Sequence, residues 1–482
     1  MSAARPFHAD RRSFANPTGR GRSFLPPYPN QDRWSMDLRA NPRGQADVAI
    51  VGSGIIALHI AYDLLVETEL SVAVVERADA LCAGATGAGQ GYVNAASHSG
   101  KSGSCPFGCH KLTAYVPFWI AHSLLALSRS YLWQLHRDPL NVESWKMAEK
   151  GRSRWRQLAE DDPAFSVQTN GSLLLATNAN ERDALKSRVD IVNKSLSISE
   201  ACRALFLPTM EDVVREEPAL FDSSVPIYGG AMLLSDSQID GQATTKALFA
   251  RCAQYSPNRF QSFFGAEVDR LIVEGGIARG LSCANGLEIA AGAVCVCAGA
   301  WTSELLSSWI GTENGEDTWR GTIIPRRGHL LVVRPRGRCN DGEKHLVHGI
   351  MESSYTKHYQ SMQLDEGDKY DITFTATQSS TGGTLLIGSS RELGAGFDQG
   401  INERVVQDIM GTARAYLPTL LEENRCEVLE TRTGLRPYSA SGPIIGPVEG
   451  VDNLYVAAGH EGSGLTLAPA TSELVLSLLT RS

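Results

Sequence analysis

Asp47-Val-Ala-Ile-Val-Gly-Ser-Gly-Ile-Ile-Ala57 is an apolar run that passes directly into G-x-G-x-x-A. A helical stretch follows, then a second apolar run, Val72 to Val75, that ends at Glu76. Strand, glycine turn, helix, strand and terminal acid make up a βαβ unit of the dinucleotide-binding type. Gly52 permits the tight turn, and Gly54 lets the backbone approach a pyrophosphate. The helix opening at Ile55 directs its unpaired N–H groups and the positive end of its dipole at that anion. Glu76, about 20 residues beyond Gly54, stands where an acid accepts the hydroxyls of an adenosine ribose.

At 482 residues the chain is too long for one ordinary core, so two or three domains are expected. A hydrophobic content of 43% with 20% charged residues is that of a globular protein. The 45 basic and 53 acidic residues leave a net charge of −8, which argues against nucleic acid as a partner. Ten cysteines are scattered without a repeating frame, the pattern of a reducing compartment and not of a disulfide scaffold. Cys105-x-x-x-Cys109-His110 is the one grouping with a metal-like spacing, but no second ligand pair follows at a zinc-finger distance, so no metal is expected. Cys295 and Cys297 alternate within the apolar stretch Ala293 to Ala298 and read as core.

Residues 1–45 are different in kind. They hold eight arginines, no lysine and three aspartates, with prolines and serines but no apolar periodicity. Two readings stand: a disordered extension, or a transit peptide that would place the protein in a plastid or mitochondrion in place of the cytoplasm. Beyond Glu76, Ala83-Gly-Ala-Thr-Gly-Ala-Gly-Gln-Gly91 is a run of small residues of the kind that lies against a large flat group. Ile239 to Phe249 reads as a turn and helix, Ala266 to Val273 as a strand, and Leu287 to Ala298 as strands ending in Gly299-Ala-Trp-Thr302. These would extend the sheet begun by Val48 to Val51.

The C-terminal part runs Thr433-Gly-Leu-Arg-Pro-Tyr438, Gly442-Pro-Ile-Ile-Gly-Pro447, a strand Asn453 to Ala458, and Gly459-His-Glu-Gly-Ser-Gly-Leu-Thr-Leu-Ala-Pro-Ala-Thr471 opening a last helix near Leu467. With the βαβ unit, Gly299-Ala-Trp, Pro325-Arg-Arg-Gly-His-Leu330 and Gly388-Ser-Ser-Arg-Glu392, these motifs resemble the D-amino-acid oxidase superfamily, in its glycine oxidase and sarcosine oxidase branch and most closely its plant-type members. The resemblance covers roughly residues 46 to 98 and 141 to 482. It implies an α/β, α+β two-domain fold: a Rossmann-like FAD-binding domain with a mixed-sheet substrate domain. The FAD domain would comprise 46–160, 239–325 and 429–482, and the substrate domain 161–238 and 326–428.

The resemblance also assigns roles. Gly52, Gly54, Ile55 and Ile56 would meet the pyrophosphate, Glu76 and Arg77 the adenosine ribose, and the main chain of Val268 the adenine. Ala85, Thr86, Gly89, Gln90 and Gly91 would lie beside the ribityl chain and ring, with Gly299 nearby. The loop His460, Glu461, Gly462, Ser463, Gly464, Leu465 and Thr466 would sit under the isoalloxazine, where a helix N-terminus favours the negative charge of reduced flavin. Arg436 would take a substrate carboxylate, since a guanidinium offers two parallel donors to that planar anion. The implied reaction is oxidation of the C–N bond of an amino acid or related amine by hydride transfer to flavin N5. Imine hydrolysis would follow, with flavin reoxidation by oxygen or another acceptor. Two alternatives share the fold: a flavoenzyme acting on a carboxylate that is not an amino acid, and a non-catalytic FAD-binding assembly factor.

The chain departs from the family pattern in several places. Where glycine oxidases carry a second arginine in the Gly-His loop, this chain has Gly462, and Glu461 adds an acid. The strand that usually offers a tyrosine or histidine reads Ile372-Thr-Phe-Thr-Ala376, suggesting an apolar or larger substrate. Tyr355, His358 and Tyr359 either contribute to the pocket instead or are surface groups near a turn, the commoner reading for such residues. No cysteine lies between Thr433 and Gly459, so FAD is expected to be non-covalent. Residues 99–140 look inserted. Leu112 to Leu127 is sixteen residues without Lys, Arg, Asp or Glu, short of the about 20 that span a bilayer, so membrane contact is not expected. The remaining readings are a lid or membrane-touching flap, or a poorly packed insertion. Arg336 to Lys344 and Gln363 to Lys369 read as surface loops.

Overall fold

Parallel strands covered on both faces must be apolar where they are covered, and Val48 to Val51, the second half of the strand that opens the fold, is such a run. Gly44–Val51 pairs in parallel with Val72–Val75 on one side and Glu288–Val296 on the other. Phe260–Phe263 extends the sheet past Val72–Val75. Along its far edge, Glu288–Val296 meets antiparallel Ile277–Cys283 in its first half and parallel Leu454–Ala458 in its second. Val268–Glu274 and Ile444–Pro447 complete eight strands. The computed structural model describes residues 44–88, 130–132, 135–137, 140–195, 203–310, 318–336, 345–355, 370–379 and 383–481.

Successive side chains of these strands feed two cores. Val48, Ile50, Val72, Val74 and Cys295 pack into one, while Ala49, Val51, Ala73, Val75, Val294 and Val296 pack into the other. The helix Ile55–Glu67 is apolar nearly all round because it is enclosed on all sides. It packs on the C-terminal helix Gly464–Arg481 and on the helix Gly241–Tyr255, whose first turn is capped by Asp240 Oδ1 accepting from the Ala243 N–H at 2.7 Å. The first long helix and the last helix of the described residues thus share one core.

The second sheet also has eight strands, in the order Cys426–Tyr438, Ile324–Pro335, Leu385–Glu392, Tyr370–Gln378, Gly349–Glu352, Ser172–Ala176, Gly229–Leu233 and Ala204–Leu207. Only the contact between Gly349–Glu352 and Ser172–Ala176 is parallel. The helix Glu403–Tyr416 covers one face, burying Val405, Ile409, Ala413 and Tyr416 against Leu331, Val333, Phe374 and Ile387. This is the mixed-sheet companion that the resemblance implies.

Three boundaries differ from the sequence reading. The first strand begins at Gly44, inside the segment read as an extension, because Gly44 and Gln45 pair with Ile289 and Ala290. The strand Cys426–Tyr438 straddles the division placed at 429 and belongs wholly to the second sheet. The last helix starts at Gly464 and not near Leu467, with Pro469 inside it. Residues 1–43 and 99–129 lie outside the described residues. The end of the supposed insertion is built into the fold: Ser130–Leu132 pairs with Ser237–Ile239, and Leu135 is fully buried. Among the described residues, no helix is long and apolar enough to cross a membrane, and no group of three or more His, Cys, Asp or Glu could hold a metal ion.

Candidate flavin and substrate site

A cavity of about 540 Å3 is lined by residues from both sheets. Its nucleotide end is made by the βαβ unit. Gly52 has φ +104°, and a Cβ there would stand 2.6 Å from the Cys297 carbonyl oxygen, so the turn requires glycine for two separate reasons. The helix beginning at Ile55 has no side-chain cap on Gly54. The Ile55 N–H donates to Thr86 Oγ1 at 3.1 Å, and Gly54, Ile55 and Ile56 line the cavity, so this uncapped helix end is suited to an anion there.

Glu76 is held in place by its own neighbours. Its Oε2 accepts from the Ser53 N–H at 2.9 Å and the Ser53 hydroxyl at 2.8 Å, and its Oε1 accepts from the Ala78 N–H at 3.0 Å. Arg77 stacks on Trp301, with Cζ 3.9 Å from the ring centroid, and Trp301 in turn stacks on Phe397. Gly52, Gly54, Ile55, Ile56, Glu76, Arg77, Ala85, Thr86, Val268 and Gly299 all line the cavity. Gly89, Gln90 and Gly91 lie outside the described residues. An uncapped helix end, a glycine turn and a fixed carboxylate in one wall fit the pyrophosphate and ribose of FAD.

The loop after Leu454–Ala458 forms the floor of the other end. His460, Glu461, Gly462, Gly464 and Leu465 line the cavity. Ser463 and Thr466 do not. The Ser463 hydroxyl accepts from Arg137 Nη1 at 3.3 Å, and the Thr466 carbonyl faces the helix Val142–Asp161. That helix holds the loop from behind. Trp155 Nε1 donates to the Leu465 carbonyl at 2.7 Å, and any Cβ on Gly151 would overlap the Thr466 carbonyl oxygen. His460 is buried with Nε2 2.9 Å from Thr471 Oγ1, and burial pushes its pKa down to about 4, so it is neutral.

The second sheet supplies the end of the cavity where Arg436 lies. Arg436 lines the cavity, and its Nη1 donates to the Ser390 carbonyl at 2.8 Å. The guanidinium lies across Gly328 of the neighbouring strand, where a Cβ would fall within 2.5 Å of Cζ and Nη2. Glycine in a strand interior marks such a close approach. His329, next in the chain, is buried. Its Nε2 accepts from the Asn402 N–H at 3.0 Å, and burial, aided by Arg327 and Arg436, pushes its pKa down to about 4.

Several cavity residues escaped the sequence reading or were misread. Tyr355 is not a surface group: it is buried, lines the cavity, and lies under Arg391 with Cζ 4.0 Å from its ring centroid. His358 and Tyr359 lie outside the described residues. From Ile372-Thr-Phe-Thr-Ala376 it is Thr375 that faces the cavity, while Phe374 turns the other way and stacks on Tyr416 at 4.2 Å. That strand therefore brings a hydroxyl and not an apolar ring. Glu461 adopts φ +47°, its Oε1 accepts from Arg326 Nη1 at 2.7 Å, and Arg391 Nε stands 3.8 Å from the same oxygen. Arg326 stacks on Tyr438 at 3.8 Å.

A dinucleotide cradle facing an arginine-bearing sheet defines a flavin-dependent oxidoreductase. The FAD dependent oxidoreductase (DAO) family model matches residues 47–478, and the chain belongs to this family, whose cofactor is FAD. Among curated relatives, glycine oxidase of Pseudomonas putida is 29% identical over 215 residues, 44% of this chain and 48% of that protein. Glycine oxidase of Pseudomonas aeruginosa is 37% identical over 99 residues, 20% of this chain and 26% of that protein. The chain thus matches half or less of the length of these two curated glycine oxidases. D-amino acid dehydrogenase 2 of Ralstonia nicotianae is 26% identical over 455 residues, 90% of this chain and 96% of that protein. Among solved structures, glycine oxidase of Bacillus cereus superposes with a TM-score of 0.65 at 21% identity, over 90% of this chain and 95% of that one. L-proline dehydrogenase of P. horikoshii does so with a TM-score of 0.65 at 18% identity, over 92% and 94%. These two likenesses establish the fold.

Proposed function

We propose that this protein oxidises the C–N bond of an amino acid or a related amine, with the substrate carboxylate held by Arg436. The observation that carries this reading is a guanidinium fixed by the Ser390 carbonyl, in the same cavity as the dinucleotide cradle. Two parallel N–H donors fix a planar carboxylate in one orientation, and positioning of this kind supplies much of the catalysis in such a reaction. Bound FAD supplies the hydride acceptor, at N5. The names of the relatives, glycine oxidase and D-amino acid dehydrogenase, agree with an amino-acid substrate. The side chains of Leu330 and Tyr355 close the cavity around the reacting carbon and limit water there, while the imine that leaves is hydrolysed to an oxo acid and ammonia or an amine.

The test is anaerobic mixing of the purified yellow protein with a panel of L-amino, D-amino and N-methyl amino acids, following loss of flavin absorbance. At least one member is expected to bleach the flavin, and readmitted air separates an oxidase, which forms peroxide, from a dehydrogenase, which stays reduced. No bleaching by any amine, with bleaching by a 2-hydroxy acid, would move the reading to a carboxylate that is not an amino acid. Tight FAD with no reductant at all, in a stable complex with another protein, would support an assembly role.

A further inference from the structure

We infer that Glu461 receives the substrate amine, so that the amino acid is held at two points, its carboxylate by Arg436 and its nitrogen by Glu461. The inference rests on the amino-acid reading above. Four observations carry it. Glu461 lines the cavity, in the loop beneath its redox end. Its carboxylate is anchored on one side only: Oε1 is taken by Arg326 and approached by Arg391, whereas Oε2 accepts no hydrogen bond among the described residues. The anchor is also the partner of the carboxylate site, because Arg326 and Arg436 are directly opposed in the ladder between Ile324–Pro335 and Cys426–Tyr438. The bridge between Tyr438 and His460 ties the loop to the same strand, two residues past Arg436.

The surroundings suit a fixed acceptor. Arg326 is buried against Tyr438 and Arg391 against Tyr355, so both guanidiniums are stacked and cannot swing, and Glu461 is held between them. A carboxylate oxygen left open in a cavity wall selects an N–H donor and disfavours an anion or a group without a donor at that point. Neutral primary and secondary amines present such a donor; a tertiary amine does not.

The test uses amino acids that cannot react because they lack an α-hydrogen, so that binding is read without turnover. Calorimetric titration of the holoprotein compares 2-aminoisobutyrate with 2,2-dimethylpropanoate, and 1-aminocyclopentanecarboxylate with 1-methylcyclopentanecarboxylate; each pair exchanges an amine for a methyl group. Wild type is expected to prefer the amine of each pair, and Glu461→Gln to reduce that preference by about tenfold or more while the methyl acids keep their affinity within about twofold. Because Glu461→Gln leaves Arg326 without its counter-charge, the double variant Arg326→Met/Glu461→Gln removes both charges together and is expected to show the same loss of preference. An unchanged preference in either variant with normal flavin absorbance overturns the role of Glu461. Arg436→Ala separates the two levels: if it weakens all four acids while Glu461→Gln spares the amine preference, only the amine assignment falls. If it weakens none, the reading of the cavity as an amino-acid site falls with it.

Discussion

Gly328→Ala tests the carboxylate site without touching the residue that forms it. Gly328 has an ordinary backbone conformation, so alanine costs nothing in φ and ψ. Its new methyl group would fall within 2.5 Å of Arg436 Cζ and Nη2 and closer still to Nη1. The atoms it meets are the far end of a flexible side chain, so the guanidinium moves and the fold stays. Moving it breaks the alignment of two charge-assisted hydrogen bonds to the substrate carboxylate, a loss of about 2–4 kcal/mol. The Michaelis constant, or the half-saturating concentration in anaerobic flavin reduction, is therefore expected to rise roughly 30- to 900-fold. Flavin content and melting temperature stay near wild type. The decisive measurement is the double-mutant cycle with Arg436→Ala: once the guanidinium is gone, the extra methyl has nothing to displace, so Gly328→Ala should add little further loss. Additive losses, or a Gly328→Ala protein with unaltered kinetics, would show that Arg436 does not hold the substrate.

Gly52→Ala places a Cβ 2.6 Å from the Cys297 carbonyl oxygen on a backbone with φ +104°, and the purified protein is expected to be colourless or to need a large excess of FAD, read by its 450 nm absorbance; a normally yellow variant would refute the cradle. Trp155→Phe removes the 2.7 Å hydrogen bond to the Leu465 carbonyl while filling most of the same space, so FAD affinity should fall about fivefold by fluorescence titration. Unaltered affinity would mean that the helix does not position the loop. His460 and His329 both titrate at about 4 in the fold against an ordinary 6.5. The folded state thus binds fewer protons than the unfolded chain, so the stability is fully present above pH 6.5 and is lost as pH falls toward 4, by about 1.4 kcal/mol per unit for each histidine. Urea midpoints at pH 7.5 and 5.0, with free FAD held constant, should separate clearly, and His460→Gln should narrow the gap; equal midpoints in wild type would contradict neutral buried histidines.

What could be read from the sequence was local and continuous. The turn at Gly52, the helix at Ile55 and the acid at Glu76 follow one another along the chain, and each is required by one ligand contact, so spacing alone carries the information. The substrate end is assembled from strands far apart in sequence, and its errors have specific physical causes. Alternation along the strand Tyr370–Gln378 is regular: Tyr370, Ile372, Phe374 and Ala376 all pack on the core under the helix Glu403–Tyr416, which leaves Thr375 on the face of the cavity. What alternation alone cannot reveal is which of the two faces is the cavity's, because that depends on the distant helix that covers the other one. Tyr355 was indistinguishable from a surface aromatic because what buries it, Arg391, comes from a different strand. Ser463 and Thr466 looked like their neighbours in a glycine-rich loop, but the tight turn Glu461–Ser463 and the helix from Gly464 alternate which side chains face the cavity. Gly328 did leave a signal: a glycine between two polar residues inside a strand is a mark of close approach.

The loop between Ala458 and Gly464 carries more of the function than its length suggests, because it is held from three directions. Trp155 and Gly151 fix its rear, the buried pair His460 and Thr471 fixes its start to the C-terminal helix, and Arg326 fixes Glu461 to the second sheet. One rigid segment thus sets both the floor of the flavin end and one wall of the substrate end. A substitution that loosens the rear contacts must therefore alter cofactor affinity and substrate affinity together, whereas one at Arg436 or Gly328 alters substrate affinity alone. Trp155→Phe and Gly328→Ala measured side by side separate these two kinds of effect. If Trp155→Phe changed flavin binding while leaving substrate saturation untouched, the loop would be two independent parts, and the coupling argued from its anchors would be wrong.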